Sequence, residues 1–208
     1  MTPTEIESLF ATPEGYRFAR WSRPIVPVVF GVDDQSLGVL KSAIEATVFA
    51  AGHRMAETDP ELGANLMMFF LRDWQELAAL DNLDRMIPAL DTLLPKLEAE
   101  DALQYRTFRF SPDGGIQACF VFLRMAGDLA DQPAAELGLE QAVKSVLLWG
   151  QGAFADRSPL ARPEGGDAVL RADIAALLRA AYDPVMPVAA EDASHALRLA
   201  ARLQVSGG

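Results

Sequence analysis

Residues 105–124 read YRTFRFSPDGGIQACFVFLR. Residues 105–110 alternate, with Phe108 and Phe110 on one face and Arg109 on the other, the period of a half-buried strand. SPDGG at 111–115 is a turn whose glycines are free to take positive φ, and 116–124 return as the second strand of a hairpin. A hairpin forces one antiparallel pair. Upstream, ANLMMFFL at 64–71 is apolar on both faces, which predicts a central strand covered on both sides. PIVPVVFG at 24–31 is strand-like by its valine content. Pro27 removes a ladder donor and assigns that strand to an edge or a bulge.

Helical segments separate these strands. Thr4, with Glu7 three residues on, has capping-box spacing and starts a short helix over 4–10. Asp33 and Asp34 cap a helix carrying Leu37, Leu40, Ile44 and Val48, and Gly52 ends it. Residues 74–100 repeat leucine at three and four, with Pro88 and Pro95 breaking the segment into two or three pieces. A further helix spans 132–149 with a stripe of Leu137, Val143, Val146 and Leu147. Residues 150–166 form a Gly/Pro/Asp-rich loop. Helices over 168–182 and 190–203 follow, joined by DPVMP at 183–187. Four strands and several helices predict one α/β (α+β) domain over 1–208, its core about 20–204, with a single mixed sheet flanked by helices.

Composition narrows the function classes. The 208 residues carry a net charge of −11, and half are hydrophobic. Residues 57–101 hold eleven acids against Arg72, Arg85 and Lys96. That field repels phosphate backbones and argues against nucleic acid. It favours basic partners, although a solvated acidic face gives the same composition. Arg171, Arg179, Arg198 and Arg202 are the expected ionic partners of this acidic section. No run approaches the roughly 20 apolar residues of a membrane span, and the first residues lack a signal-peptide pattern. The expectation is a cytoplasmic protein. Its one cysteine, Cys119, lies in an apolar run and reads as a small buried hydrophobe.

The usual catalytic patterns fail. There is no G-x-S-x-G elbow, no G-x-x-x-x-G-K loop and no G-x-G-x-x-G turn. Of the two histidines, His53 follows a helix end and His195 lies in the last helix near Asp192. Both read as capping or surface groups, with a base paired to a carboxylate as the alternative. Glu136 and Glu140 are four apart on the 132–149 helix. They read as solvated acids, Glu140 pairing with Lys144, or as weak ligands of a hard cation. Trp149 and Phe154 flank GQG at 150–152. Exposed, they would form a binding surface; buried, they would lock the loop onto the sheet. Trp149, Glu136 and Glu140 are therefore the candidate binding residues. No catalytic residue, metal ligand or cofactor is assigned.

Three pieces, LEQAVKSVLLWGQGAFAD (139–156), DIAALLRAAYDP (173–184) and EDASHALRLAARL (191–203), resemble a family of uncharacterised bacterial proteins with a zincin-like, metallopeptidase-like domain. The likeness covers about residues 105–203, and the turn Tyr182-Asp183-Pro184 is its most specific match. It implies the zincin order of strand, hairpin and then helix, in which zinc peptidases present a metal-binding helix to their sheet. The family's turn motif is degraded here to Leu147-Leu148-Trp149, and the 132–149 helix contains no histidine. A zinc site needs converging imidazoles or carboxylates, so no functional residue carries over. The resemblance implies fold and not activity. The resulting expectation is a non-catalytic domain that binds a peptide or protein partner along the hairpin's edge strand. A hydrolase using His53 or His195, and a self-assembling scaffold, are the alternatives. The oligomeric state is open.

Overall fold

Thr2 opens the first helix, because its hydroxyl accepts from Glu5 N while the Glu5 carboxylate accepts from Thr2 N. The capping box therefore lies two residues earlier than the Thr4–Glu7 spacing suggested, and Pro3 takes the first helical position, where its missing N–H costs nothing. The structure, a computed structural model, describes residues 1–78, 87 and 90–206. Its helices are α1 (Pro3–Leu9), α2 (Asp34–Ala50), α3 (Gln75–Ala78), α4 (Leu90–Ala99), α5 (Ala134–Val146), α6 (Ala172–Ala181) and α7 (Ser194–Ser206). The strands are β1 (Ala11–Thr12), β2 (Gly15–Tyr16), β3 (Phe18–Arg20), β4 (Pro27–Phe30), β5 (Leu66–Leu71), β6 (Gln104–Phe110), β7 (Ile116–Arg124), β8 (Leu147–Leu148), β9 (Leu160–Ala161), β10 (Val169–Leu170) and β11 (Ala189–Ala190).

The fold class is mixed α/β, built on a four-stranded sheet in the order β4-β5-β7-β6. β4, β5 and β7 run parallel, and the hairpin makes β6 antiparallel to β7. β5 is central, as its two apolar faces required, and Pro27 opens the edge strand β4. Alternation along β5 and β7 sends side chains to two cores. Met68, Phe70, Cys119, Val121 and Leu123 pack with α1, α2, α5, α6 and α7. Phe69, Leu71, Phe120 and Phe122 pack with Trp74, Leu77, Ile87, Leu94 and Leu97. Ile6 and Phe10, ahead of the 20–204 span expected for the core, are fully buried in the first of these.

Several sequence expectations change. The sheet is not single: β11, β3 and β8 form a second, three-stranded antiparallel sheet. Within 74–100, Pro95 sits inside α4 instead of ending it. It lies on the exposed side of α4, while Leu94 and Leu97 anchor the buried side. Leu80, Leu83 and Pro88 lie outside the described residues. α6 and α7 start at 172 and 194, four residues later than the periodicity suggested, because 169–170 and 189–190 are taken up as strands. Among the described residues, Arg171 pairs with Asp173 and Arg202 with Asp183, both outside the acidic middle section. Asp59 and Glu61 pair with Arg23, Glu76 with Arg72, Glu100 with Lys96 and Asp101 with Arg124.

The helix expected to reach Trp149 stops at Val146. Its last carbonyls are claimed by aromatic donors from elsewhere. Trp149 Nε1 donates to Val143 O at 2.8 Å, Trp21 Nε1 to Ser145 O at 2.9 Å and the Tyr182 hydroxyl to Val146 O at 2.6 Å. Carbonyls that would otherwise be orphaned at a helix end are thus satisfied, and residues 147–148 turn into a strand paired with β3. The Tyr182 oxygen also accepts from Trp21 N at 3.3 Å. Tyr182→Phe therefore strands one buried acceptor and one buried donor. It should lower unfolding free energy by about 2–3 kcal/mol, measured by urea denaturation with tryptophan fluorescence.

Candidate functional site

β6 ends the main sheet, and among the described residues its outer edge has no strand beside it. Along that edge runs a groove of about 490 Å³, walled by Gln104, Arg106, Phe108, Lys144, Trp149 and Phe154. The strand supplies one wall, and α5 with the 148–154 loop supplies the other.

The aromatic wall is fixed by packing. The Trp149 ring stacks on Phe10 at 5.2 Å, with 7° between planes, and Phe154 meets it edge-on at 4.8 Å. Both rings are half-buried, so they lock the loop in place and still present a face to the groove. Phe154 holds φ at +67°, a left-handed conformation that bulky residues rarely take. Gly150 lets this loop approach the N-terminal corner: its N–H donates to Leu9 O at 2.8 Å, and a Cβ there would overlap the Ala11 carbonyl oxygen. Gly150→Ala should cost about 1–3 kcal/mol by overpacking and weaken the near-ultraviolet circular dichroism of Trp149, read together in one thermal melt.

The polar wall joins β6 to α5. Arg106 Nε donates to Ser145 Oγ at 3.2 Å, and its terminal nitrogen donates to Gln141 Oε1. Gln141 and Ser145 are buried, and Gln141 Nε2 reaches Gln104 Oε1 at 3.3 Å. Burial pushes the Arg106 pKa down, although a guanidinium stays protonated at neutral pH. Lys144 pairs with Glu140, whose other oxygen accepts from Gln132 Nε2 at 3.1 Å. Burial alone would raise the Glu140 carboxyl, but the Lys144 hydrogen bond and charge outweigh it and hold the pKa below the usual value.

Of the three candidate binding residues, Trp149 lines the groove and Glu140 holds a lysine that lines it. Glu136 pairs with Arg162 outside it. Glu136 and Glu140 thus each have a cationic partner and no imidazole beside them, which is not a zinc donor set. Among the described residues no group of three or more His, Cys, Asp or Glu could hold a metal ion. No described helix is long and apolar enough to cross a membrane.

The histidines are not surface caps. His53 is half-buried: its Nε2 donates to Arg23 O at 2.9 Å and its ring packs on Tyr182 at 4.7 Å. Burial depresses its pKa. His195 is 2 % exposed, because α7 turns that face onto Phe18, 4.3 Å between ring centres, and Tyr16. Its Nδ1 lies 2.7 Å from the Tyr16 hydroxyl, while Nε2 is buried and unpartnered. Neither ring is hydrogen-bonded to a carboxylate among the described residues. Cys119 is equally inert: burial pushes its thiol up to about 12.

Burial lowers the His195 pKa to about 4 from an ordinary 6.5. Above pH 6.5 the ring is neutral in both states and contributes no pH dependence. Below it the unfolded chain takes up the proton first, so the native state loses stability down to about pH 4, by at most about 3 kcal/mol. His195→Phe should flatten this slope relative to wild type in urea titrations at pH 7, 5.5 and 4.5.

Sequence reasoning missed Arg106, Gln104 and Gln141. The signal for Arg106 was present, since it shares parity with Phe108 and Phe110 and so points to the apolar side of the hairpin. Nothing in the sequence paired it with Gln141. The turn Tyr182-Asp183-Pro184, the most specific match of the family resemblance, clamps α5 through the Tyr182 hydroxyl and forms no part of the groove. No protein-family model, curated protein or solved structure matches the chain. The reading of the groove rests on its geometry.

Proposed function

We propose that this chain is a non-catalytic, zincin-like domain of the cytoplasm that binds an extended peptide segment of a partner protein as an added strand on β6. The observation that carries the reading is the unpaired outer edge of β6 beside a groove with one aromatic and one polar wall. An edge strand offers backbone N–H and C=O groups to a peptide, and pockets beside it select alternate side chains. The zincin-like part of the proposal is supported by element order: the hairpin precedes α5, and Arg106 ties the hairpin to that helix. The absence of histidine from α5 supports binding without peptidase chemistry.

Self-assembly through the same edge is disfavoured by charge. Each chain carries −11, so two copies repel as they approach.

The test is selection of phage-displayed peptides on the purified chain, followed by hydrogen exchange with a selected peptide. Slowed exchange of amides within 104–110 is expected. Failure to retain any peptide, or protection confined to other elements, would overturn the reading.

A further inference from the structure

Arg106 is the arginine that lines the groove, and like the part-buried Arg20 it has neutral acceptors in place of a carboxylate. Arg23, Arg72, Arg124, Arg162, Arg171 and Arg202 each pair with a carboxylate. Arg106 reaches Ser145 Oγ, Gln141 Oε1 and the Cys119 thiol, and no carboxylate of the described residues lies within ion-pair distance of it. The nearby acid, Glu140, is already held by Lys144. A guanidinium has five N–H donors, and a partly desolvated one without a counter-ion is costly. This cation lines the groove, in a chain whose overall charge is strongly negative.

Resting on the docking reading above, we infer that the peptide bound along β6 carries an acidic side chain that pairs with Arg106, and an apolar side chain one residue removed from it. The spacing follows from strand geometry. Arg106 and Phe108 are two apart on one face of β6, so the residues of an added strand that face them are also two apart. Phe108, Trp149 and Phe154 form the apolar seat. The pattern is acidic–x–apolar in one strand direction and apolar–x–acidic in the other. A bidentate carboxylate–guanidinium pair gives both attraction and register, and the groove's own positive charge offsets the repulsion an acidic peptide meets from the rest of the chain.

The selection described above supplies the probe. Selected peptides should be enriched in Asp or Glu two positions from Leu, Ile, Phe or Val. One of them, made with acetylated and amidated ends so that its side chain is the sole carboxylate, is titrated by fluorescence anisotropy. Replacing its acid with the amide should weaken binding about tenfold or more. The same replacement should have no effect on Arg106→Gln, and an intermediate one on Arg106→Lys, with folding of both variants checked by circular dichroism. Binding of the acidic peptide should also weaken between 50 and 500 mM salt in a way the amide peptide's does not, a measurement that needs no variant. If peptides bind and protect β6 but show neither acid enrichment nor an amide penalty, the inference fails while the docking reading stands. Loss of binding on amidation of the peptide's end would likewise overturn it, since the recognised carboxylate would then be terminal. If no peptide is retained, both fall.

Discussion

The end of α5 is the constraint on which the rest of this fold depends. Three of its last carbonyls are held by aromatic donors: Trp21 beside β3 and Tyr182 after α6, both distant in the chain, and Trp149 just after β8. Each bond is modest alone, about 1 kcal/mol net. Together they fix where the helix stops, and that stopping point sets the geometry around it. It frees Leu147–Leu148 to pair with β3, seats Trp149 on Phe10, and brings Gln141 and Ser145 under the inward face of β6. The aromatic wall and the polar wall of the groove follow from the same event.

The main sheet supplies the complementary half. β5 and β7 pair in parallel with full register and alternate their side chains between two apolar cores. With β5 and β7 covered on both faces, the hairpin has only one place for β6, the margin of the sheet. An unpaired strand margin invites association. Here it carries Arg106, which has no carboxylate partner among the described residues, on a molecule whose net charge is −11. That contrast of charge, more than the groove's volume, is what motivates the proposed acidic occupant.

The zincin resemblance looks different once the packing is known. Its best-matching turn, Tyr182-Asp183-Pro184, earns its role mechanically: the hydroxyl clamps α5, Asp183 accepts from Val185 N at 3.0 Å and pairs with Arg202. The two histidines point the same way, one against Tyr182 and the other in an apolar pocket where a proton is disfavoured.

Sequence by itself determined the strands of the main sheet, the hairpin, the central position of 64–71, the edge position of the Pro27 strand and the cap at Asp33. All of these rest on local periodicity, turn chemistry and missing donors, which neighbours in the chain suffice to specify. It also showed the Glu140–Lys144 pair, one helical turn apart. Only the tertiary structure decided the end of α5, the second sheet, the burial of His195 and the carboxylate-free setting of Arg106. Each of those depends on at least one partner 35 to 179 positions away in the chain, and no local pattern encodes which distant donor will reach a given carbonyl or which acid will be absent beside a given cation.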